Sequence, residues 1–182
     1  MRTRKTDQPG IYLLTGVMAS GKSTVAQLLA ERFGRGVHVR GDAFRRMIVS
    51  GREEMLPEHS EEAVAQLRLR YRIAAGAAEA YAQEGFDVVL QDVILGAHLE
   101  EVVRSIRHRP LYVVVLVPDA SAVANREAAR GKKGYGLWTV EMLDDKLRRE
   151  TPRIGMWLDT TEQTPEETVE AILSRAEREA RV

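Results

Sequence analysis

Short apolar runs alternate with longer stretches of helical period along this chain. Of the runs Ile11–Thr15, Val37–Arg40, Phe86–Asp92, Leu111–Val117 and Met156–Asp159, most carry little polar alternation. That is the pattern of strands buried on both faces of a parallel sheet. Between and after them, apolar positions recur at helical spacing over Lys22–Phe33, Asp42–Ser50, Glu61–Glu84, Ala97–Arg107, Ala120–Arg130, Thr139–Arg149 and Pro165–Arg178. Several ends are marked. Gly34 and Gly85 follow helical runs where a left-handed residue is wanted. Thr164-Pro165-Glu166-Glu167 offers a cap, a first-turn proline and acids at the positive end of a helix. Strand and helix in alternation predict an α/β fold, doubly wound with right-handed crossovers. No repeat, low-complexity tract or linker interrupts it. Gly51–Ser60 and Gly131–Gly136 read as the mobile loops.

The chain of 182 residues is long enough for one domain with a real core. Acidic and basic side chains balance at 27 each, so no global field draws it to nucleic acid or acidic lipid. Nucleic acid and membrane are therefore not expected partners. With no cysteine there are no disulfides or thiolate metal sites. The longest apolar runs, such as LYVVVLV, are too short to span a bilayer. The first residues lack the apolar segment of a signal peptide, and a cytoplasmic location is expected.

Chemistry enters at Gly16–Thr24, GVMASGKST, which matches G-x-x-x-x-G-K-[ST] at Gly16, Gly21, Lys22 and Ser23. Glycines let the backbone wrap closely so that successive N–H groups point at a phosphate. The helix starting at Lys22 adds its positive end. Gly16, Ala19, Ser20, Gly21, Lys22, Ser23 and Thr24 are the expected nucleotide-binding residues. Lys22 is placed on the β- and γ-phosphates, and the Ser23 hydroxyl on Mg²⁺. Four fixed positions arise by chance in roughly one chain of this length in a hundred. The match also falls between a strand and a helix, as the motif requires.

Three further segments bear on the reaction. In VHVRGDAFRRMIVSG, Asp42 follows the second strand, at the end where open α/β sheets bind ligands. It is either the base for an attacking hydroxyl or the cap of the next helix. Arg45 and Arg46, in the first turn, are candidate substrate ligands. In FDVVLQDVILG, Asp92 ends a very apolar strand like the acid of a Walker B strand. It is a candidate to hold Mg²⁺ through water, to bind substrate, to be the base instead of Asp42, or to be a buried structural acid. Gln91 beside it faces either the interior or the substrate. In NREAARGKKGYG, Arg126 and Arg130 share a helix face and precede Lys132 and Lys133. This reads as a lid with arginines at its root, bringing charge to a transferring phosphoryl group. Arg68, Arg70 and Arg72 flank Tyr71 in the long helix. Arg68 and Arg72 share a face and read as a solvated stripe rather than a lining of the substrate cleft, and Trp138 and Trp157 read as packing anchors. The four histidines show no metal-ligand spacing. No guanine-reading N-K-x-D segment occurs, which argues against a GTPase switch.

The order of Walker A loop, G-D after the second strand, acid ending the third strand and R-x-x-x-R-G lid resembles the small P-loop kinases. That group includes gluconate kinase, shikimate kinase, chloramphenicol phosphotransferase and the zeta-toxin-like kinases. The layout covers nearly the whole chain, although only the Walker A match is specific. The resemblance implies a three-layer P-loop sandwich with five parallel strands in the order 2-3-1-4-5. It implies one kinase domain over residues 1–182, with 1–9 flexible and 130–137 forming the lid, and ATP and Mg²⁺ as cosubstrates. It carries the base onto Asp42, the catalytic lid arginines onto Arg126 and Arg130, and adenine contacts onto the loop Asp159–Pro165. GDAFRRMIVSGREEM is similar to the gluconate-kinase segment G-D-x-x-H…M-x-x-G, with Phe44 in place of the histidine. The expected activity is ATP-dependent phosphorylation of a small-molecule hydroxyl on a sugar acid, a nucleoside or an antibiotic-like acceptor, by a monomer or weak homodimer. A nucleoside monophosphate or polynucleotide-end kinase, or a nucleotide-gated binding protein without turnover, are the alternatives.

Overall fold

A computed structural model describes residues 8–129 and 136–182 of the chain. The strands are β1 (Ile11–Gly16), β2 (Gly36–Arg40), β3 (Asp87–Gln91), β4 (Leu111–Leu116) and β5 (Met156–Leu158). They form one sheet in the order β2-β3-β1-β4-β5, all parallel. β1 lies at the centre, with Ile11 level with Val88 on one side and Leu111 on the other.

Strand alternation divides the core into two layers. Ile11 and Leu13 of β1, with Leu111, Val113 and Val115 of β4, face one side; Tyr12 and Leu14, with Tyr112, Val114 and Leu116, face the other. The second side is covered by α1 (Lys22–Ala30) and α7 (Pro165–Glu179), through Val25, Leu29, Val169 and Ile172. The first side is covered by α3 (Glu61–Gln83), α4 (His98–Ser105), α5 (Ala120–Ala129) and α6 (Val140–Asp145). Ala74, Ala75, Ala78 and Ala82 make a stripe of small residues along α3, so the helix lies close on the sheet. β1, β3 and β4 are buried at every position, which explains why their sequences lack polar alternation, whereas in the edge strand β2 only Val39 is buried.

Some ends differ from the sequence pattern. α1 stops at Ala30 rather than Phe33, and Gly34 does not take a left-handed conformation. The chain leaves α1 by tighter bonds, Arg32 N–H to Leu29 C=O and Phe33 N–H to Ala30 C=O. Gly85, by contrast, has the expected positive φ of 83° after α3. The short helix α2 (Gly41–Arg46) stops four residues early. Past Arg46 come Ile48 and Val49, both β-branched, and Val49 is 97% exposed. α6 passes into a π-helical turn, Lys146–Glu150, that sequence periodicity does not show. α7 starts as predicted, with a reciprocal capping box between Thr164 and Glu167. Among the described residues no helix is long and apolar enough to cross a membrane.

Candidate active site

The site sits at the C-terminal ends of β1, β2 and β3. The Thr15 hydroxyl donates to Ile94 C=O at 3.0 Å and accepts from Ile94 N–H at 2.9 Å, tying the end of β1 to the segment after β3. From there the chain turns sharply. Gly16, Ala19 and Gly21 have φ of 147°, 59° and 93°. Glycine adopts such angles freely, but Ala19 carries a strain that a packed functional loop tolerates. Gly21 caps α1 with no side-chain bond to the first helical N–H groups. Those donors remain available to an anion, at the positive end of the helix. Lys22 is buried, its Nζ 2.5 Å from Val17 C=O and 3.4 Å from Ser20 Oγ, so the ammonium closes over the concave face of the loop. The Ser23 hydroxyl donates to Gln91 Oε1 at 3.2 Å.

The facing wall comes from α2, β3 and α3. Asp92, just past β3, is buried beside the loop. Its Oδ1 accepts from Arg70 Nη2 at 2.9 Å and from Val93 N–H at 2.7 Å. Its Oδ2 has no hydrogen-bond partner among the described residues. It lies against the Gly41 backbone, where a Cβ would stand 2.1 Å away. Gly41 is therefore the residue that lets α2 start against Asp92. Burial pushes the Asp92 carboxyl above its ordinary value, and Arg70 is the largest force pulling it back. Asp42 stands half-exposed one residue beyond Gly41, its Oδ2 3.0 Å from Arg46.

Between these walls lies a cleft of about 620 Å³ that includes Lys22, Ser23, Asp42, Arg45, Gln91 and Asp92 in its lining. Arg45 is ion-paired to Glu54. Tyr71 of α3 donates its hydroxyl to Val93 C=O at 2.6 Å, and burial pushes that phenol above its ordinary value. Trp138 Nε1–H donates to Met55 C=O at 2.7 Å, pinning the start of α6 to the loop after α2 across the mouth. A second cleft of about 290 Å³ lies on the other side of the phosphate loop, between Ala19, Thr24, Arg126, Thr160, Gln163 and Pro165.

The fold recurs in known proteins. The model of the AAA domain family matches residues 11–178. The chain belongs to that AAA domain family. A UPF0200 protein of Aeropyrum pernix is 33% identical over 138 residues, covering 74% of this chain and 72% of that protein. Among solved structures, a gluconokinase of Sinorhizobium meliloti superposes with a TM-score of 0.62 at 22% identity, over 98% of this chain and 94% of that one. The Mycobacterium tuberculosis APS kinase CysC, in complex with AMPPNP and APS, gives a TM-score of 0.66 at 18% identity over 93% and 98%. The fold of this AAA domain is that of the P-loop kinases, as the resemblance implied.

Within the AAA domain, most of the residues singled out from sequence meet at one place. Gly21, Lys22, Ser23, Asp42, Arg45, Gln91 and Asp92 share the larger cleft, and Ala19 borders both clefts. Ser20 and Thr24 line the smaller one. Arg46 does not enter the lining; it is exposed and pairs with Asp42. Asp42 is not the cap of its helix. The cap position is Arg40, in extended backbone, and Asp42 lies in the first turn. Arg126 lines the smaller cleft and not the larger one, and donates to Thr160 C=O at 2.9 Å, holding α5 to the loop that precedes α7. Of that loop, Thr160, Gln163 and Pro165 border the smaller cleft. The Asp159 carboxylate instead accepts from the Thr161 hydroxyl at 2.6 Å, which holds its carboxyl below the ordinary value. Arg130, Lys132 and Lys133 lie outside the described residues.

Arg70 is the residue that sequence reasoning missed: its side chain is 13% exposed and paired with Asp92. Arg68 does pair at the surface, with Glu101 at 3.2 Å, and Arg72 is exposed. The signal was present in the helix face. Ala63, Leu67, Ala74 and Ala78 stand at spacings of three and four around position 70, so Arg70 lies on the buried side and needs an acid there.

Proposed function

We propose that this AAA domain is an ATP-dependent phosphotransferase that moves the γ-phosphoryl group to a hydroxyl of a small molecule. The observation that supports it is the single cleft joining the phosphate loop to Asp42. A phosphate donor held at Lys22 and an acceptor held at Asp42 would share that space. The residues fit the nucleotide. The left-handed turns at Gly16, Ala19 and Gly21 and the uncapped start of α1 supply N–H donors, and Lys22 supplies the charge. They also fit Mg²⁺ in a limited way. Among the described residues no group of three His, Cys, Asp or Glu could hold a metal, but Ser23 and Gln91 present hard oxygens at the mouth of the loop. Mg²⁺ keeps several waters and binds through few protein ligands plus substrate phosphates, which suits such a site. When bound, the metal neutralises charge on the transferring phosphate.

Asp42 is the base in this reading. The acceptor oxygen bonds to the γ-phosphorus as ADP leaves, and its proton passes to an Asp42 carboxylate oxygen. Asp92 is less suited to the task, because Arg70 and Val93 already occupy Oδ1 and Gly41 packs against Oδ2. Asp92 instead positions α2 and, through Gln91 beside it, the Ser23 hydroxyl. The test is a screen with γ-labelled ATP and Mg²⁺ against pooled hydroxylated metabolites, nucleosides and antibiotics, read by mass spectrometry. An acceptor that gains one phosphate, and fails to in an Asp42→Asn protein that still binds ATP, supports the assignment. Loss in Asp92→Asn with Asp42→Asn active moves the base to Asp92. Tight ATP binding without any product points to a nucleotide-gated binding protein.

A further inference from the structure

The larger cleft is poor in available positive charge. Among the described residues its lining holds the cations Lys22, Arg45, Arg70 and Lys146 and the acids Asp42, Glu53, Glu54, Asp92 and Glu127. Each of these cations is engaged. Lys22 closes on the phosphate loop, Arg45 pairs with Glu54, Arg70 with Asp92, and Lys146 lies 3.5 Å from Glu150. An acceptor bearing a carboxylate, sulfate or phosphate would lose its hydration here and, among the described residues, would have to displace an acid to gain Arg45, Arg70 or Lys146, Lys22 being turned onto the phosphate loop.

The same wall is rich in apolar surface. Leu56, Val64, Leu67, Tyr71, Leu137 and Trp138 converge on it from the loop after α2, from α3 and from the start of α6. Leu56 and Leu137 keep 37% and 71% of their surface exposed, so this apolar face is not consumed by the core. Burial of such surface by a ligand is favourable and needs no matching charge.

We propose that the acceptor is an uncharged or cationic alcohol with an apolar, ring-sized body. Its hydroxyl is presented to Asp42 and its body lies against Leu67 and Trp138. Glu54, by holding Arg45, discriminates against anionic acceptors. This deepens the phosphotransferase reading and rests on it.

The experiment uses the full chain loaded with AMPPNP and Mg²⁺, and saturation-transfer NMR titrations of four probes. These are 3-phenoxypropane-1,2-diol (neutral, aromatic), 3-phenyllactate (anionic, aromatic), gluconate (anionic, without an apolar body) and glycerol (neutral, without one). The diol is expected to bind about ten-fold more tightly than phenyllactate, and gluconate and glycerol to bind more weakly than either. Glu54→Gln, which releases Arg45, should close most of the gap between diol and phenyllactate by strengthening phenyllactate. Leu67→Glu should lose the diol while AMPPNP still binds. Phenyllactate or gluconate binding as well as the diol overturns the proposal, as does AMPPNP binding with no probe bound. An unchanged phenyllactate affinity in Glu54→Gln removes the role given to Glu54. Failure to bind AMPPNP at all is a different result: it defeats the phosphotransferase reading itself.

Discussion

Replacing Arg70 by Met tests how the site is held together. Methionine keeps a long apolar stem in the helix and removes the cation. The partner left behind is Asp92, whose side chain is 4% exposed and whose Oδ2 has no hydrogen bond among the described residues. Breaking a buried pair from one side costs about 3–5 kcal/mol. The structure adds a ceiling. An uncompensated buried carboxylate can escape by taking a proton. From an ordinary value of 3.8 to pH 7 is about 3.2 pH units. At ~1.36 kcal/mol per unit, protonation costs about 4 kcal/mol. The deficit at pH 7 should therefore be about 3–4 kcal/mol, which for a chain of this size lowers the melting temperature by roughly 6–16 °C.

The sign with pH follows. Burial raises the Asp92 carboxyl, and losing Arg70 raises it further. A raised carboxyl costs stability as pH climbs above its unfolded value, because the unfolded chain releases a proton that the folded chain keeps. The deficit of Arg70→Met should therefore shrink as the pH is lowered from 7 toward 5, by at most about 1.4 kcal/mol per unit. Urea unfolding of both proteins across that range is the assay. Adding Asp92→Asn to Arg70→Met should recover most of the loss and flatten the pH dependence. A deficit below about 1 kcal/mol, typical of an exposed ion pair, would refute the account of a buried, coupled pair. So would a deficit that does not change with pH.

Other substitutions probe other parts. Lys22→Ala should weaken binding of a fluorescent ATP analogue and lower turnover on any identified acceptor by about 10²-fold or more; unchanged turnover would remove Lys22 from the phosphate site. Gly41→Ala should cost about 1–3 kcal/mol in chemical denaturation, because the new Cβ meets a carboxylate that Arg70 and Val93 hold in place. Trp138→Phe removes the bond to Met55 C=O at a cost of about 1 kcal/mol. If that bond restrains the loop after α2, tryptic cleavage at Arg52 should then be about five-fold faster.

Much of this arrangement was legible because its signals are local. Buried strands, the phosphate loop and the Thr164 capping box each follow from a few adjacent residues. What escaped depends on residues distant in sequence. Arg70 and Asp92 meet only because α3 crosses β3. The helical period put Arg70 on the buried face, yet only the sheet order supplies its acid. Asp42 loses its capping role because Gly41, packed against Asp92, already begins the helix. Arg126 is drawn to Thr160 by the position of β5 at the sheet edge, a placement no spacing within α5 encodes. The same distinction separates the two halves of the proposed function. The donor half is a loop motif and reads from sequence. The acceptor half is assembled by α2, α3, the loop after α2 and the start of α6, so its charge balance exists only in three dimensions. Sequence alone offers Arg45 and Arg46 as substrate ligands. Arg45 is paired with Glu54 and Arg46 with Asp42, which leaves apolar surface as the feature by which the site would select its alcohol.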